Sequence, residues 1–112
     1  MQYTTTPYQQ KQFINEEGLC VTPLTSHLNN AMLLESYRAM VMIRTFDQRV
    51  VALQRTGQMG TYASCLGQEA IGAGIGLVLG AEDVFLPYYR DQATQYLRGV
   101  PLEQQMQYWG GN

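Results

Sequence analysis

The sequence predicts a mainly α-helical chain with a short hairpin and one short strand. Two observations carry the helical part. Apolar residues recur at helical spacing from about Asn29 to Thr56 and again from about Gln68 to Leu79, and helix-starting or helix-stopping residues bound each run. A third accounts for the extended parts: Phe13-Ile14 and Leu19-Cys20-Val21 flank a turn ending in Gly18, and Asp83 to Pro87 is a short apolar run.

Residues 1–28 read as an arm. Met1 to Gln12 is polar, with Thr4, Thr5 and Thr6 and four glutamines, and an irregular tail is the alternative for residues 1–10. The apolar pieces around Asn15-Glu16-Glu17-Gly18 form the hairpin, which Pro23 ends. In the long helix that follows, Ser26, Asn29 and Asn30 offer N-cap oxygens. Leu33 or Leu34, Tyr37, Met40, Val41, Ile43, Val50, Val51 and Leu53 supply the apolar positions, and Gly57 stands where a C′ residue takes a positive φ. Arg44, Asp47 and Arg49 interrupt the pattern. They read as a solvated face or as a polar contact to another subunit, with a same-face Arg44–Asp47 ion pair available.

The helix over Gln68 to Leu79 contains Gly72, Gly74 and Gly76. Each interior glycine costs about 0.5–1 kcal/mol relative to alanine, so their presence needs a reason. Gly72 and Gly76 lie four residues apart on one face and, with Ala73, form a flat strip that another backbone can approach closely, in a core or at an interface. A phosphate-binding glycine loop is the sharper reading, but the spacing matches neither the Walker A pattern nor the full Gly-x-Gly-x-x-Gly fingerprint. After the strand at Asp83 to Pro87, Asp91 is placed to N-cap a helix from about Gln92 to Arg98. Gly99 closes it, and Pro101 suits the first turn of a last helix, Leu102 to Trp109.

Length and composition narrow the function. A chain of 112 residues suits one small domain, and 46% hydrophobic residues give it a modest core. The net charge is −2 and the arginines are scattered singly, which argues against a nucleic-acid surface. No run reaches the roughly 20 apolar residues of a membrane span, and the first residues carry no charged-then-apolar leader pattern. Cys20 and Cys65 match no Cys-x-x-Cys pattern and read as reduced thiols, so a cytoplasmic location is expected. His27 is the single histidine, and no His/Cys/Asp set has metal-ligand spacing. Neither Gly-x-Ser-x-Gly nor a paired-carboxylate signature occurs. A self-contained hydrolase or metalloenzyme is therefore disfavoured, and no residue is assigned as catalytic.

The arrangement with most chemistry in it is Pro87-Tyr88-Tyr89-Arg90-Asp91, where a strand ends and a helix begins. Free backbone N–H groups at a helix start attract anions, and a guanidinium suits phosphate. Tyr88 and Tyr89 add hydroxyl donors and flat apolar faces, so the segment has the parts for half of a diphosphate site. The plainer alternative is an Arg90–carboxylate pair beside core tyrosines.

Read in order, Tyr37-Arg38-Ala39-Met40, Ile43-Arg44-Thr45-Phe46-Asp47, Leu53-Gln54-Arg55-Thr56-Gly57-Gln58, Leu66-Gly67-Gln68-Glu69-Ala70 and Tyr89-Arg90-Asp91 form a series. It resembles the alpha subunits of the decarboxylating component of 2-oxo acid dehydrogenase complexes, the pyruvate, branched-chain 2-oxo acid and acetoin dehydrogenases. The resemblance runs from about residue 30 to the end, and more loosely over the hairpin at 13–21.

It implies that the full subunit has an α/β thiamine-diphosphate-binding fold with a parallel sheet. Residues 29–112 would be the N-terminal helical part of that domain. It also implies an α2β2 assembly with a beta subunit, and thiamine diphosphate held with Mg2+. The 2-oxo acid would be decarboxylated on the cofactor, and the acyl group would pass to the lipoyl group of an acyltransferase. By position, Tyr89 and Arg90 match the family's cofactor contacts, with Tyr88 adjoining. Tyr62 falls in a segment that lines the substrate mouth. Where pyruvate-specific relatives often have a histidine, this chain has Ala63, so the substrate stays open. Gly67-Gln68-Glu69-Ala70 is expected to be structural. The family's Gly-Asp-Gly magnesium motif is absent, so the metal ligands and most of the sheet are expected beyond Asn112, and the chain alone is expected to be inactive. The rival reading is a non-catalytic helical module that binds a beta-like partner through the Gly72/Gly76 strip and the arm.

Overall fold

The computed structural model describes residues 11–23 and 28–111. The expectations for residues 1–10, Ser26 and His27 lie outside them. Among the described residues the chain folds into four helices: α1 (Asn30–Arg55), α2 (Glu69–Val78), α3 (Gln92–Leu97) and α4 (Leu102–Gly110).

The 26-residue α1 begins where Asn29 accepts a hydrogen bond from the Met32 amide through Oδ1 at 2.9 Å. It ends in a Schellman turn: Gly57 takes φ +72°, its amide reaches the Gln54 carbonyl, and the Gln58 amide reaches the Leu53 carbonyl. Ala39, Ile43, Phe46, Asp47 and Val50 form its buried stripe. Ile43, Cys65 and Ala93 make one core cluster; Phe46, Val50 and Tyr62 make a second, against which Leu102, Met106 and Trp109 of α4 pack. Fully burying a side chain such as Ile43 or Val50 contributes about 1.5–3 kcal/mol. Much of the other apolar side stays in solvent, including Leu34, Tyr37 and Val41.

The glycine strip on α2 is filled from within the chain. A Cβ built on Gly72 would lie 2.9 Å from the Ala93 Cβ, and one on Gly76 would lie 2.8 Å from the Leu97 Cβ. The strip is the bed of α3, held there by the buried Thr94 hydroxyl, which donates to the Gly72 carbonyl at 2.9 Å. Of the two expectations for the strip, close packing in a core holds, and the rival reading that Gly72 and Gly76 meet a partner protein does not. Helix α3 closes as α1 does, with Gly99 at φ +88° and the Val100 amide bonded to the Gln95 carbonyl. Arg98 then ties it to the preceding loop by donating to the carbonyls of Gly80 (2.6 Å) and Asp83 (2.8 Å).

The extended elements are reduced. The hairpin is present as a single antiparallel bridge, Ile14 to Cys20, turned by Gly18 at φ +79°. The strand expected at Asp83 to Pro87 does not form and is not buried: Val84 is 88% and Leu86 86% exposed. A strand is completed by ladder bonds to a neighbouring strand, and among the described residues no strand pairs with this segment.

The three helical glycines should therefore behave differently. Gly74 has nothing within 4 Å of a built Cβ, so Gly74→Ala should stabilise by about 0.5–1 kcal/mol through propensity alone. Gly72→Ala should lower stability by up to about 2 kcal/mol, because overpacking against Ala93 outweighs the same gain. Gly76→Leu should lower it further. Thermal unfolding compares them, and a Gly72→Ala protein melting above the parent would show that α2 and α3 part freely.

Candidate functional site

The site is organised by Asp47, which is 2% exposed and takes three donors from one short segment. The Tyr62 hydroxyl and the Cys65 amide donate to Oδ1 and the Ser64 hydroxyl donates to Oδ2, each at 2.8 Å. A buried carboxylate without such partners would be strongly unfavourable. The Arg44–Asp47 pair that the spacing made available does not form. Arg44 donates instead through Nε to Glu69 at 2.5 Å, and the second Glu69 oxygen accepts from the Gly67 amide at 3.0 Å. Gly67 takes φ +87° in the turn that admits this clasp. Glu69 is thus a structural carboxylate at the head of α2.

Arg90 reaches the same segment from the other side. Its Nε donates to the Ser64 carbonyl at 2.8 Å, and Nη1 donates to the Tyr89 hydroxyl at 3.2 Å. The guanidinium also lies 4.9 Å from the Tyr89 ring centroid. Arg90 is partly exposed and makes no ion pair among the described residues, so the carboxylate-paired alternative does not hold there. Tyr88 and Tyr89 are about half exposed, with ring centroids 3.8 Å apart. The neighbouring Tyr89 hydroxyl holds the Tyr88 phenol above its ordinary pKa, so it remains a neutral donor. Asp91 does not cap α3 with its side chain. Its Oδ2 turns back to accept the Tyr88 amide at 2.6 Å, which stiffens the turn carrying the tyrosines.

Tyr62 sits in the core instead of on an open surface. It is 6% exposed, packs edge-on to Phe46 and Trp109, and gives its hydroxyl to Asp47. Burial, and then Asp47, push its phenol well above the ordinary range. The structure therefore joins Tyr88, Tyr89 and Arg90 in one cluster and sets Tyr62 behind it. Gln92 links the two: its Nε2 donates to the Tyr62 hydroxyl, the Ala63 carbonyl and the Tyr89 carbonyl at 3.2–3.4 Å. An open groove of about 620 Å³ runs between Tyr88-Tyr89 and α4, with Gln105 and Trp109 in its wall. The sequence pattern placed Asp47 on a solvated face or a contact to another subunit, whereas it is buried within the chain; it gave Gln92 only as a helix start, and Ser64 and Gln105 no role. For Asp47 a signal existed, since it falls on the helical stripe of Ala39, Ile43 and Val50.

Comparison with known proteins bears on what this cluster serves. The family described as dehydrogenase E1 component matches residues 37–112. The chain belongs to that family. It is 36% identical over 104 residues to the pyruvate dehydrogenase E1 component subunit alpha of Mycoplasma pneumoniae, covering 90% of this chain and 28% of that protein. It is 39% identical over 98 residues to the Bacillus cereus protein of the same name, covering 87% and 26%. With the 2-oxoisovalerate dehydrogenase subunit alpha of Pseudomonas aeruginosa it shares 36% over 95 residues, covering 85% and 23%. This dehydrogenase E1 chain thus spans about a quarter of the length of these relatives. No solved structure matches it. Among the described residues, no group of three or more His, Cys, Asp or Glu is placed to hold a metal ion, and no helix is long and apolar enough to cross a membrane.

Two outcomes follow for this E1 chain. The Arg44 bond holds the Glu69 carboxyl below the ordinary glutamate range. A depressed folded value means its stabilisation is complete above about pH 4.3 and fades as pH falls through that lower value. Glu69→Gln should flatten the acid limb of a stability–pH curve; an unchanged limb would remove Glu69 from the acid response. Burial pushes the Cys65 thiol up to about 12, whereas Cys20 is exposed. Native iodoacetamide labelling followed by mass spectrometry should modify Cys20 and spare Cys65. Equal labelling would mean that the core around Cys65 opens.

Proposed function

We propose that this chain supplies part of the thiamine diphosphate site of a 2-oxo acid dehydrogenase, acting on pyruvate or a branched-chain 2-oxo acid. In this reading residues 29–112 belong to the cofactor-binding domain of an alpha subunit with an α/β fold, and residues 1–28 are its arm. The subunit works with a beta subunit in an α2β2 assembly, and the acyl group goes to the lipoyl group of an acyltransferase partner. The bound cofactor supplies the electron sink that makes loss of CO2 from the 2-oxo acid feasible.

The observation that carries this reading is Arg90. Its Nε is spent on the Ser64 carbonyl, which fixes the plane of the guanidinium. The outer nitrogen Nη1 donates to the Tyr89 hydroxyl, the Tyr88 ring stacks beside Tyr89, and no carboxylate among the described residues pairs with the guanidinium. A planar cation with flanking hydroxyl donors is a donor set suited to diphosphate oxygens. Tyr88, Tyr89 and Arg90 are accordingly the proposed cofactor contacts. Tyr62 contributes to the substrate mouth through the segment it anchors. Mg2+ draws its ligands from elsewhere than the described residues, where no such cluster lies. The relatives' names include both a pyruvate and a 2-oxoisovalerate enzyme, so the substrate is proposed at the level of the class.

Arg90→Ala removes charge-assisted hydrogen bonds, each contributing about 1.5–3 kcal/mol where buried, or about one to two powers of ten in cofactor affinity. Arg90→Lys should recover only part, because an ammonium lacks the planar fork. Saturated turnover should fall less than affinity, since Arg90 positions and transfers no proton. Cofactor affinity and saturated rate of both variants in the assembled enzyme test this. Wild-type affinity in Arg90→Ala would leave Arg90 without a diphosphate role.

A further inference from the structure

Asp47 touches none of the groups assigned above to the cofactor, yet its bonds enclose the atom that holds Arg90. Its donors are Tyr62, Ser64 and Cys65, so the segment is anchored on both sides of the Ser64 carbonyl. That carbonyl accepts Arg90 Nε at 2.8 Å. From the α3 side, Gln92 Nε2 takes the adjoining Ala63 carbonyl at 3.2 Å and the Tyr62 hydroxyl at 3.4 Å. The Ser64 hydroxyl, while donating to Asp47, also accepts the Leu66 amide at 3.2 Å. The segment is thus pinned by side chains, with no strand pairing to set its register.

We propose that Asp47 is a positioning residue for Arg90: by fixing the 62–65 segment it sets the Ser64 carbonyl at the point that aims the guanidinium, and so governs affinity for a diphosphate-bearing ligand that it never contacts. This rests on the reading of Arg90 given above. A merely structural Asp47 would lower stability while leaving the contribution of Arg90 intact. A positioning Asp47 is coupled to Arg90.

A double-mutant cycle in the assembled, full-length enzyme separates these, with thiamine diphosphate and Mg2+ binding read by titration calorimetry and turnover read at saturating cofactor. Asp47→Asn keeps the volume but replaces one acceptor oxygen by a donor. It should weaken cofactor binding about tenfold in the parent and less than about twofold in the Arg90→Ala background, as expected for groups sharing one network. Saturated turnover should fall less than affinity. Ser64→Ala removes a single anchor and keeps the carbonyl; it should show the same coupling at about threefold and carries the test if Asp47→Asn does not assemble. Equal losses in both backgrounds overturn the positioning role. If Arg90→Ala alone binds cofactor like the parent, the diphosphate reading itself falls. That result appears in the single variant, so the two failures are told apart.

Discussion

A carboxylate inside a small helical chain must be matched with donors, and most of this structure can be traced to how Asp47 meets that demand. Helix α1 carries it on the buried stripe beside Phe46 and Val50. The donors come from a segment between helices whose backbone has no ladder to bind to, so one arrangement satisfies both needs. The Cys65 amide is bonded, the Tyr62 ring is drawn in against Trp109, and the two core clusters form on either side of the segment. A hydrophobic residue in place of Asp47 would fill the same space but deprive the buried Cys65 amide of its acceptor, at about 1–3 kcal/mol, and take an acceptor from the Tyr62 and Ser64 hydroxyls.

Tyr88, Tyr89 and Arg90 depend on this anchor at one remove, and on the glycine strip at another. Helix α3 reaches the 62–65 segment only because α2 has no Cβ at Gly72 and Gly76, where even a methyl group would collide with Ala93 or Leu97. The close approach places Gln92 where its amide spans Tyr62, Ala63 and Tyr89. Propensity is given up inside α2, and positional definition is gained at the start of α3. The trade suits the role proposed for Arg90, a partly exposed arginine held in one orientation before a ligand arrives, since ordering it afterwards would reduce affinity.

The helices were legible in the sequence because their ends are local chemistry. Asn29, Gly57 and Gly99 act within a few residues: Asn29 starts a helix through its side chain, and the two glycines end one because they lack a side chain. The buried face of α1 was less legible. Leu34, Tyr37 and Val41 are as apolar as Ile43, Phe46 and Val50, yet the former stay exposed and the latter are core. What marks the inner face is Ala39 and Asp47, a small residue and a charged one that a search for hydrophobic spacing passes over. Arg44 and Asp47 were close enough in sequence to suggest each other, but every partner they take lies at least 15 residues away. The Tyr89-Arg90 motif was readable as a residue pattern. Its clamp to Ser64 was not, because a main-chain carbonyl carries no sequence signature.

The strand expected at Asp83 to Pro87 shows the same limit from the other side. The apolar run Val84-Phe85-Leu86 is a pattern that specifies a strand only against a neighbouring strand and covering layers. In this chain those side chains face solvent, and the stabilisation of about 1.5–3 kcal/mol that burying each would give is not realised. The helices formed because their backbone bonds close within one segment, whereas a sheet draws its bonds from several. The candidate site divides along that line too. The inner edge of Arg90 is satisfied by a carbonyl that this chain itself holds in place, so its orientation is internal to these helices. Its outer nitrogens lie on the partly exposed side, where Nη1 meets the Tyr89 hydroxyl and no carboxylate among the described residues pairs with it. The orientation of Arg90 is therefore set by contacts internal to these helices, and under the function proposed above a cofactor would meet an arginine that is already oriented.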